Sequence, residues 1–281
     1  MNKPIILDGK AYSSEINENT KKRVQEVIKV KNIVPTLATV LVGNNSASLM
    51  YVKMKAAACY SVGINFIQIK LPENSTTEAV QDEIRKLNKD ASIHGILLQH
   101  PVPRQIDESA CFNIISPEKD VDGVSYDSFA KVSMGKMCFA PATPLGIIKL
   151  LKKYNISFSG KEAVVVGRSA ILGKPIAAML LNEDCTITIC HSKTHDLGTI
   201  VKRADIVIAG IGKPKFIKVE WIKDGATVVD AGYNEGSIGD TDLENIKKVV
   251  RAYTPVPGGV GPMTIAILLE QTVLAAEIKK V

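Results

Sequence analysis

Short continuous apolar runs, each followed by a stretch of helical period, recur in both halves of this 281-residue chain, and that recurrence restricts its fold more than any other feature. A strand covered on both faces reads as such a run, whereas a strand with one wet face alternates. In the first half "TLATVLVG" (36–43) leads to a helical stretch from Ser46 to Tyr60, then "INFIQIK", a helix over "TTEAVQDEIRKLN", and "IHGILLQ" (93–99). That is a βαβαβ order. In the second half "EAVVVG" (162–167), "TITIC" (186–190), "DIVIAG" (205–210) and "ATVVDAG" (226–232) are separated by helical segments. The expectation is an α/β protein of two α/β domains, the second a doubly wound, Rossmann-like parallel sheet.

Between the halves lies "KVSMGKMCFAPATPLG", irregular and rich in breakers, followed by the helix "IIKLLKKY", so the boundary is expected near residue 140. The last helix, 264–280, is apolar on most sides and has to be covered, which assigns it to the first domain. Residues 1–140 with 264–281 then form one domain and 141–263 the other, with the interdomain cleft as the expected binding site.

Composition narrows the class of function. A chain 46% hydrophobic and 23% charged, without a low-complexity tract, is a folded globular protein. Its net charge of +6 is spread along the chain with no basic stripe, which argues against nucleic acid and suits a small anionic ligand. The opening "MNKPIILDGK" holds an apolar run too short for a signal-peptide core, and the longest uncharged stretches contain prolines and glycines. The expectation is a cytoplasmic protein with no membrane span. Five cysteines form no CxxC pair, as fits reduced thiols. His191 and His195 have helical spacing, but a strand ends at the first, so no metal is expected.

The run "AVVVGRSAILGKPIAAMLL" is a strand, a turn bracketed by Gly167 and Gly173, and a helix starting near Lys174. Such a turn presents backbone N–H groups and a positive helix end to a pyrophosphate. Enzymes that use NAD usually place a carboxylate after the next strand to hold the ribose 2′-hydroxyl. Here "TITIC" ends in His191, Ser192 and Lys193, and Arg168 lies in the loop itself, a donor set suited to a 2′-phosphate. NADP is the expected cofactor.

A second set of residues gathers at the carboxyl ends of the first-half strands. Tyr51 and Lys55 of "YVKMK" stand one helical turn apart, Gln99 of "LLQHPVP" closes a strand, and Asp120 and Asp122 of "SPEKDVDG" follow the next helix. Amine, amide, carboxylate and aromatic face suit a flat polar heterocycle with a reacting centre. Near the C-terminus "TPVPGGVGPMT" (254–264) spends three prolines and three glycines on one loop, more than an ordinary turn before a helix requires.

Taken in order, "YVKMK", "LLQHPVP", "PEKDVDG", "ATPLG", "VVVGRSAILGKP", "ICHSKT", "ADIVIAGIGKP" and "TPVPGGVGPMT" resemble the bifunctional methylenetetrahydrofolate dehydrogenase/cyclohydrolase family. The resemblance implies NADP-dependent oxidation of 5,10-methylenetetrahydrofolate to the methenyl form, hydrolysis of that product to 10-formyltetrahydrofolate, and a homodimer. It further implies that Tyr51 stacks on the folate, Lys55 serves proton transfer, Gln99 orients Lys55 and Asp122 binds the pteridine. Gly167, Arg168, Ser169 and Ser192 would hold NADP with Gly173, and Tyr233 would lie near it. Pro257, Gly258 and Gly259 would form part of a wall of the folate site. Three departures stand out: Ala142 where many members have cysteine, His100 where many have leucine, and "VVDAGYN" in place of a more apolar segment.

Two other readings use some of the same residues. A Tyr-x-x-x-Lys pair also serves short-chain dehydrogenases, but those carry the glycine loop before the pair, and here Tyr51 precedes Gly167. A non-catalytic NADP-binding sensor would need no amine at the second site.

Overall fold

A computed structural model of the chain describes residues 3–279. In chain order the elements are β1 (Ile5–Ile6), α1 (Gly9–Lys31), β2 (Thr36–Val42), α2 (Ser46–Val62), β3 (Asn65–Leu71), α3 (Thr77–Lys89), β4 (Gly95–Leu98), α4 (Glu108–Phe112), α5 (Tyr126–Ser133) and α6 (Ala142–Lys153). There follow β5 (Glu162–Val166), α7 (Gly173–Asn182), β6 (Thr186–Cys190), α8 (Leu197–Val201), β7 (Ile206–Ala209), β8 (Thr227–Asp230), α9 (Leu243–Ile246), β9 (Ala252–Tyr253) and α10 (Val260–Ile278).

The chain divides into two compact units. One is built from the N-terminal residues through Ser13, Val132–Gly135 and Thr143–Thr264; the other from Ser14–Lys131, Lys136–Ala142 and the chain from Ile265 onward. The first unit contains a six-stranded parallel sheet in the order β1-β9-β8-β7-β5-β6. The second contains a three-stranded parallel sheet in the order β3-β2-β4.

Both sheets place their first βαβ strand between its two successors, so each has a point where the strand order reverses. In the larger sheet that point lies between β5 and β7, and in the smaller between β2 and β4. In open parallel sheets ligands bind beyond the carboxyl ends of the strands at this reversal. The central strands are continuous apolar runs because both faces are covered: all seven residues of β2 are buried, as are all four of β4, β7 and β8. Each fully buried aliphatic side chain contributes about 1.5–3 kcal/mol relative to exposure.

Local signals set the helices. Asn45 caps α2 by accepting from the Ser48 N–H, and Gly63, at φ 86°, closes it in the left-handed region. Thr76 caps α3 in the same way through the Ala79 N–H. At the other end of α3 the buried Lys119 amine donates to the carbonyls of Leu87, Asn88 and Asp90 at 2.9, 2.8 and 2.7 Å, satisfying acceptors that a helix end leaves open.

Four details differ from the sequence expectation. Residues through Ser13 group with the unit expected to begin near residue 141, because β1 pairs with β9 through Ile5–Ala252 and Ile6–Tyr253. Helix α6 starts at Ala142, since Pro144 lies in the first turn, where its missing N–H costs nothing. By the same logic α10 starts at Val260 and absorbs Gly261 and Pro262 from the proline-glycine loop. Finally, the apolar end of the run read as broken by prolines and glycines belongs to a single helix, α10, long and apolar enough to cross a membrane by length and composition, a test that buried core helices also pass. It is a covered helix here: Ala266, Ile267, Leu268, Leu269, Val273 and Ala276 are buried. Its Glu277 receives two hydrogen bonds from Arg23 of α1, at 2.8 and 2.7 Å.

All five cysteines are free thiols, four of them buried and Cys138 partly so. Burial raises every one above the usual thiol range, Cys59 to about 12 and Cys111 and Cys185 to about 11.

Candidate functional site

At the reversal point of the larger sheet, three glycines bring three chain segments to contact distance. Gly167 follows β5 with φ 130°, and a Cβ there would stand 2.5 Å from the Gly210 carbonyl oxygen after β7. A Cβ on Gly173 would stand 2.3 Å from the Gly167 oxygen, and one on Gly210 would stand 2.5 Å from Leu172 Cδ2. Only glycine allows the loop to turn this tightly into α7. The Ser169 hydroxyl accepts from the Leu172 and Gly173 N–H groups, each at 3.2 Å, and so fixes the loop from inside.

The Gly167 N–H donates to Cys190 O at 2.9 Å, so Arg168 and the His191–Thr194 turn leave neighbouring strand ends. That turn is closed by the Thr194 hydroxyl, which accepts from the His191 N–H at 2.8 Å. Arg168, Ser169, Ser192 and Lys193 are all exposed. Tyr233 sits in the loop after β8, half-exposed, with its hydroxyl 3.2 Å from Ser237 Oγ. A glycine-tight loop entering a helix, with cationic and hydroxyl donors and no carboxylate on the adjacent strand end, fits a phosphorylated dinucleotide.

At the reversal point of the smaller sheet, Lys55 of α2 donates to Gln99 Oε1 at 2.9 Å. Gln99 is buried just past β4, anchored through its own N–H to Val40 O at 2.8 Å, and its Nε2 donates to His100 O at 2.6 Å. The amide oxygen therefore faces Lys55 and both its amine and that amide are held. Tyr51 lies one turn before Lys55 on α2.

The electrostatics suit proton transfer. Burial lowers the Lys55 amine below its ordinary value, against the opposing pull of the Asp122 carboxylate and Cys59. Burial raises Asp122 to about 6, with Lys55 and His100 holding it down and Asp120 pushing it up. Asp120, read from the sequence beside Asp122, is committed elsewhere: it accepts from the Val124 and Ser125 N–H groups and the Ser128 hydroxyl at 3.1, 3.0 and 2.7 Å. It shapes the loop that presents Asp122.

Sequence reasoning missed Gln271, a buried amide in apolar α10. Its Oε1 accepts from the Ala140 N–H at 3.0 Å and its Nε2 donates to Val121 O and Ala140 O at 2.8 and 2.9 Å. It clamps the segment immediately before Asp122. In "IAILLEQTVLAA" the polar run Glu270, Gln271 and Thr272 interrupts the apolar stretch without singling out Gln271. Pro257, Gly258 and Gly259 belong to the unit of the larger sheet, where Gly258 O accepts from the Lys10 N–H at 2.8 Å and Gly259 packs on Gly9.

The raised Asp122 carboxyl gives a stability prediction. An unfolded aspartate ionises near 3.8 and the folded one near 6, so the penalty of burying the charge is absent below the first value and complete above the second. Asp122→Asn is expected to stabilise the fold at pH 8 by about 1–3 kcal/mol, with the gain vanishing as pH falls toward about 4. Thermal melts of both proteins across that range test it; a gain independent of pH would be the wrong result.

The tetrahydrofolate dehydrogenase/cyclohydrolase catalytic-domain family matches residues 7–122, and the NAD(P)-binding domain of the same family matches 141–280. A relative from Colwellia psychrerythraea, bifunctional protein FolD 1, is 54% identical over 276 residues, covering 98% of each chain. Among solved structures, the bifunctional FolD methylenetetrahydrofolate dehydrogenase/cyclohydrolase of Campylobacter jejuni is 45% identical with a TM-score of 0.94, covering 97% of this chain and 98% of that one. The Trypanosoma brucei FolD, solved with NADP cofactor and inhibitor, is 33% identical with a TM-score of 0.94, covering 99% and 98%.

Proposed function

Because the chain belongs to the tetrahydrofolate dehydrogenase/cyclohydrolase family, we infer that it oxidises 5,10-methylenetetrahydrofolate to the methenyl form with NADP and hydrolyses that product to 10-formyltetrahydrofolate. The observation that carries the folate reading is the 2.9 Å bond from Lys55 to Gln99, which holds an amine of lowered basicity beside Asp122.

NADP, when bound, accepts a hydride from the one-carbon unit of the substrate. Arg168, Ser192 and the loop from Gly167 to Gly173 bind and orient it, with Ser169 fixing that loop and Tyr233 near by. In hydrolysis, water attacks the methenyl carbon and gives one proton to Lys55 Nζ; as the bond from the ring nitrogen to that carbon breaks, the nitrogen takes that proton from Lys55, and the remaining hydroxyl proton leaves to solvent as the formyl C=O forms. Gln99 keeps the amine aimed. Asp122 hydrogen-bonds the pteridine, and Tyr51 stacks on it.

The assay is direct. Purified protein with methylenetetrahydrofolate and NADP is expected to form NADPH, and methenyltetrahydrofolate is expected to be consumed without cofactor. If neither absorbance change occurs, the assignment is wrong. The protein is further proposed to work in the cytoplasm as a homodimer, a state that sedimentation equilibrium measures.

The proline-glycine loop is proposed as a folate contact through Pro257, Gly258 and Gly259. A Cβ on Gly259 would stand 2.6 Å from Pro255 O and 2.7 Å from Thr254 Cβ, so a side chain there displaces the loop itself. Gly259→Val is expected to raise the folate KM about tenfold or more, or to abolish turnover, while NADP binding persists. Unchanged folate kinetics would reduce the loop to a turn.

A further inference from the structure

Asp240 lies outside every role assigned so far, yet its carboxylate is fully buried and uses both oxygens. Oδ2 accepts from the backbone N–H groups of Ile211 and Gly212 at 2.6 and 2.9 Å, and Oδ1 from the N–H of Lys213 at 2.9 Å and from Asn234 Nδ2 at 3.0 Å. Three consecutive N–H groups aimed at one point form a concavity of the kind that binds anions. Here the chain fills it with its own carboxylate.

The anchor is itself fixed. Asp230, closing β8, accepts from the N–H groups of Gly232, Asp240 and Thr241 at 2.9, 3.0 and 2.8 Å and from the Thr241 hydroxyl at 2.7 Å. A Cβ on Gly232 would stand 2.2 Å from Asp240 Cγ, and one on Gly239 would stand 2.1 Å from Asp230 Oδ2, so both loops close directly over the carboxylates.

We propose that Asp240 is a positioning residue for the dinucleotide: by occupying the N–H concavity after β7 it locks the loop that backs the Gly167–Gly173 turn. The link runs through the contacts described above, with Gly167 lying against Gly210 O and Gly210 against Leu172. Residues 211–213 continue directly from Gly210, so freeing them loosens the surface on which the glycine turn rests. The same carboxylate holds Asn234, next to Tyr233. This inference rests on the proposed cofactor reading.

Asp240→Asn keeps the shape but replaces an acceptor oxygen by an NH2 group, which must face N–H donors. The expected result is an NADP KM raised at least about tenfold, while cyclohydrolase turnover and folate KM, measured without cofactor, stay within about threefold of wild type. Cyclohydrolase activity also reports that the variant is folded. Should Asp240→Asn fail to fold, Asn234→Ala removes a single donor from the same carboxylate and is expected to raise the NADP KM about two- to threefold. An unchanged NADP KM, or equal losses in both activities, overturns the positioning role. Wild-type protein without NADP-dependent turnover would instead refute the cofactor reading on which it rests.

Discussion

Lys55→Gln is expected to lower cyclohydrolase activity by at least about 100-fold, the lower range for general acid–base catalysis, while retaining more of the dehydrogenase. The asymmetry follows from the chemistry. Hydride loss from the substrate leaves a cation and needs no proton acceptor in that step, whereas attack by water does. An ordinary lysine, with a pKa of about 10.4, is almost wholly protonated at neutral pH. Burial lowers Lys55, and its direct partner is the neutral amide of Gln99. Asp122 opposes that shift, yet its own burial raises it to about 6, which shows that it too is poorly solvated. Measuring both activities on one preparation decides the matter: cyclohydrolase within a few-fold of wild type would remove Lys55 from proton transfer.

Arg168→Ala is expected to cost NADP about 1–3 kcal/mol of binding, about 5- to 150-fold in kcat/KM, and to leave the weaker use of NAD nearly unchanged. Arg168 follows the end of β5 beside the end of β6, where His191, Ser192 and Lys193 stand in place of an acidic residue. A carboxylate there would attract a ribose 2′-hydroxyl and repel a 2′-phosphate. Equal wild-type kcat/KM for NAD and NADP would overturn the preference.

The strands and most helices were legible because buried parallel strands have a simple signature: β2, β5, β6 and β7 appear within a residue of their apolar runs. Boundaries failed where proline was read only as a breaker, since Pro144 and Pro262 lie in the first turns of helices. Strands β1 and β9, two residues each, carry too little pattern to read. At the candidate site of the smaller sheet, the pairing of Lys55 with Gln99 could be anticipated from strand ends and helical spacing. Gln271 and Asp240 could not, because most of their partners are backbone groups, 131 and 150 residues away for Gln271 and 27 to 29 for Asp240, and nothing in local sequence encodes such pairings.

The five thiols have a practical consequence. A thiolate is the species that alkylating reagents and peroxide attack, and burial that lifts a thiol toward 11 or 12 nearly empties that species at neutral pH. Cys59, Cys111 and Cys185, buried and raised this far, are therefore poor targets for maleimides, and Cys138, which is only partly buried, is the most accessible natural thiol. A cysteine introduced at an exposed position such as Val30, 68% exposed on α1, would be the dominant nucleophile, so a fluorophore or spin label can be attached at one chosen point once Cys138 alone is replaced.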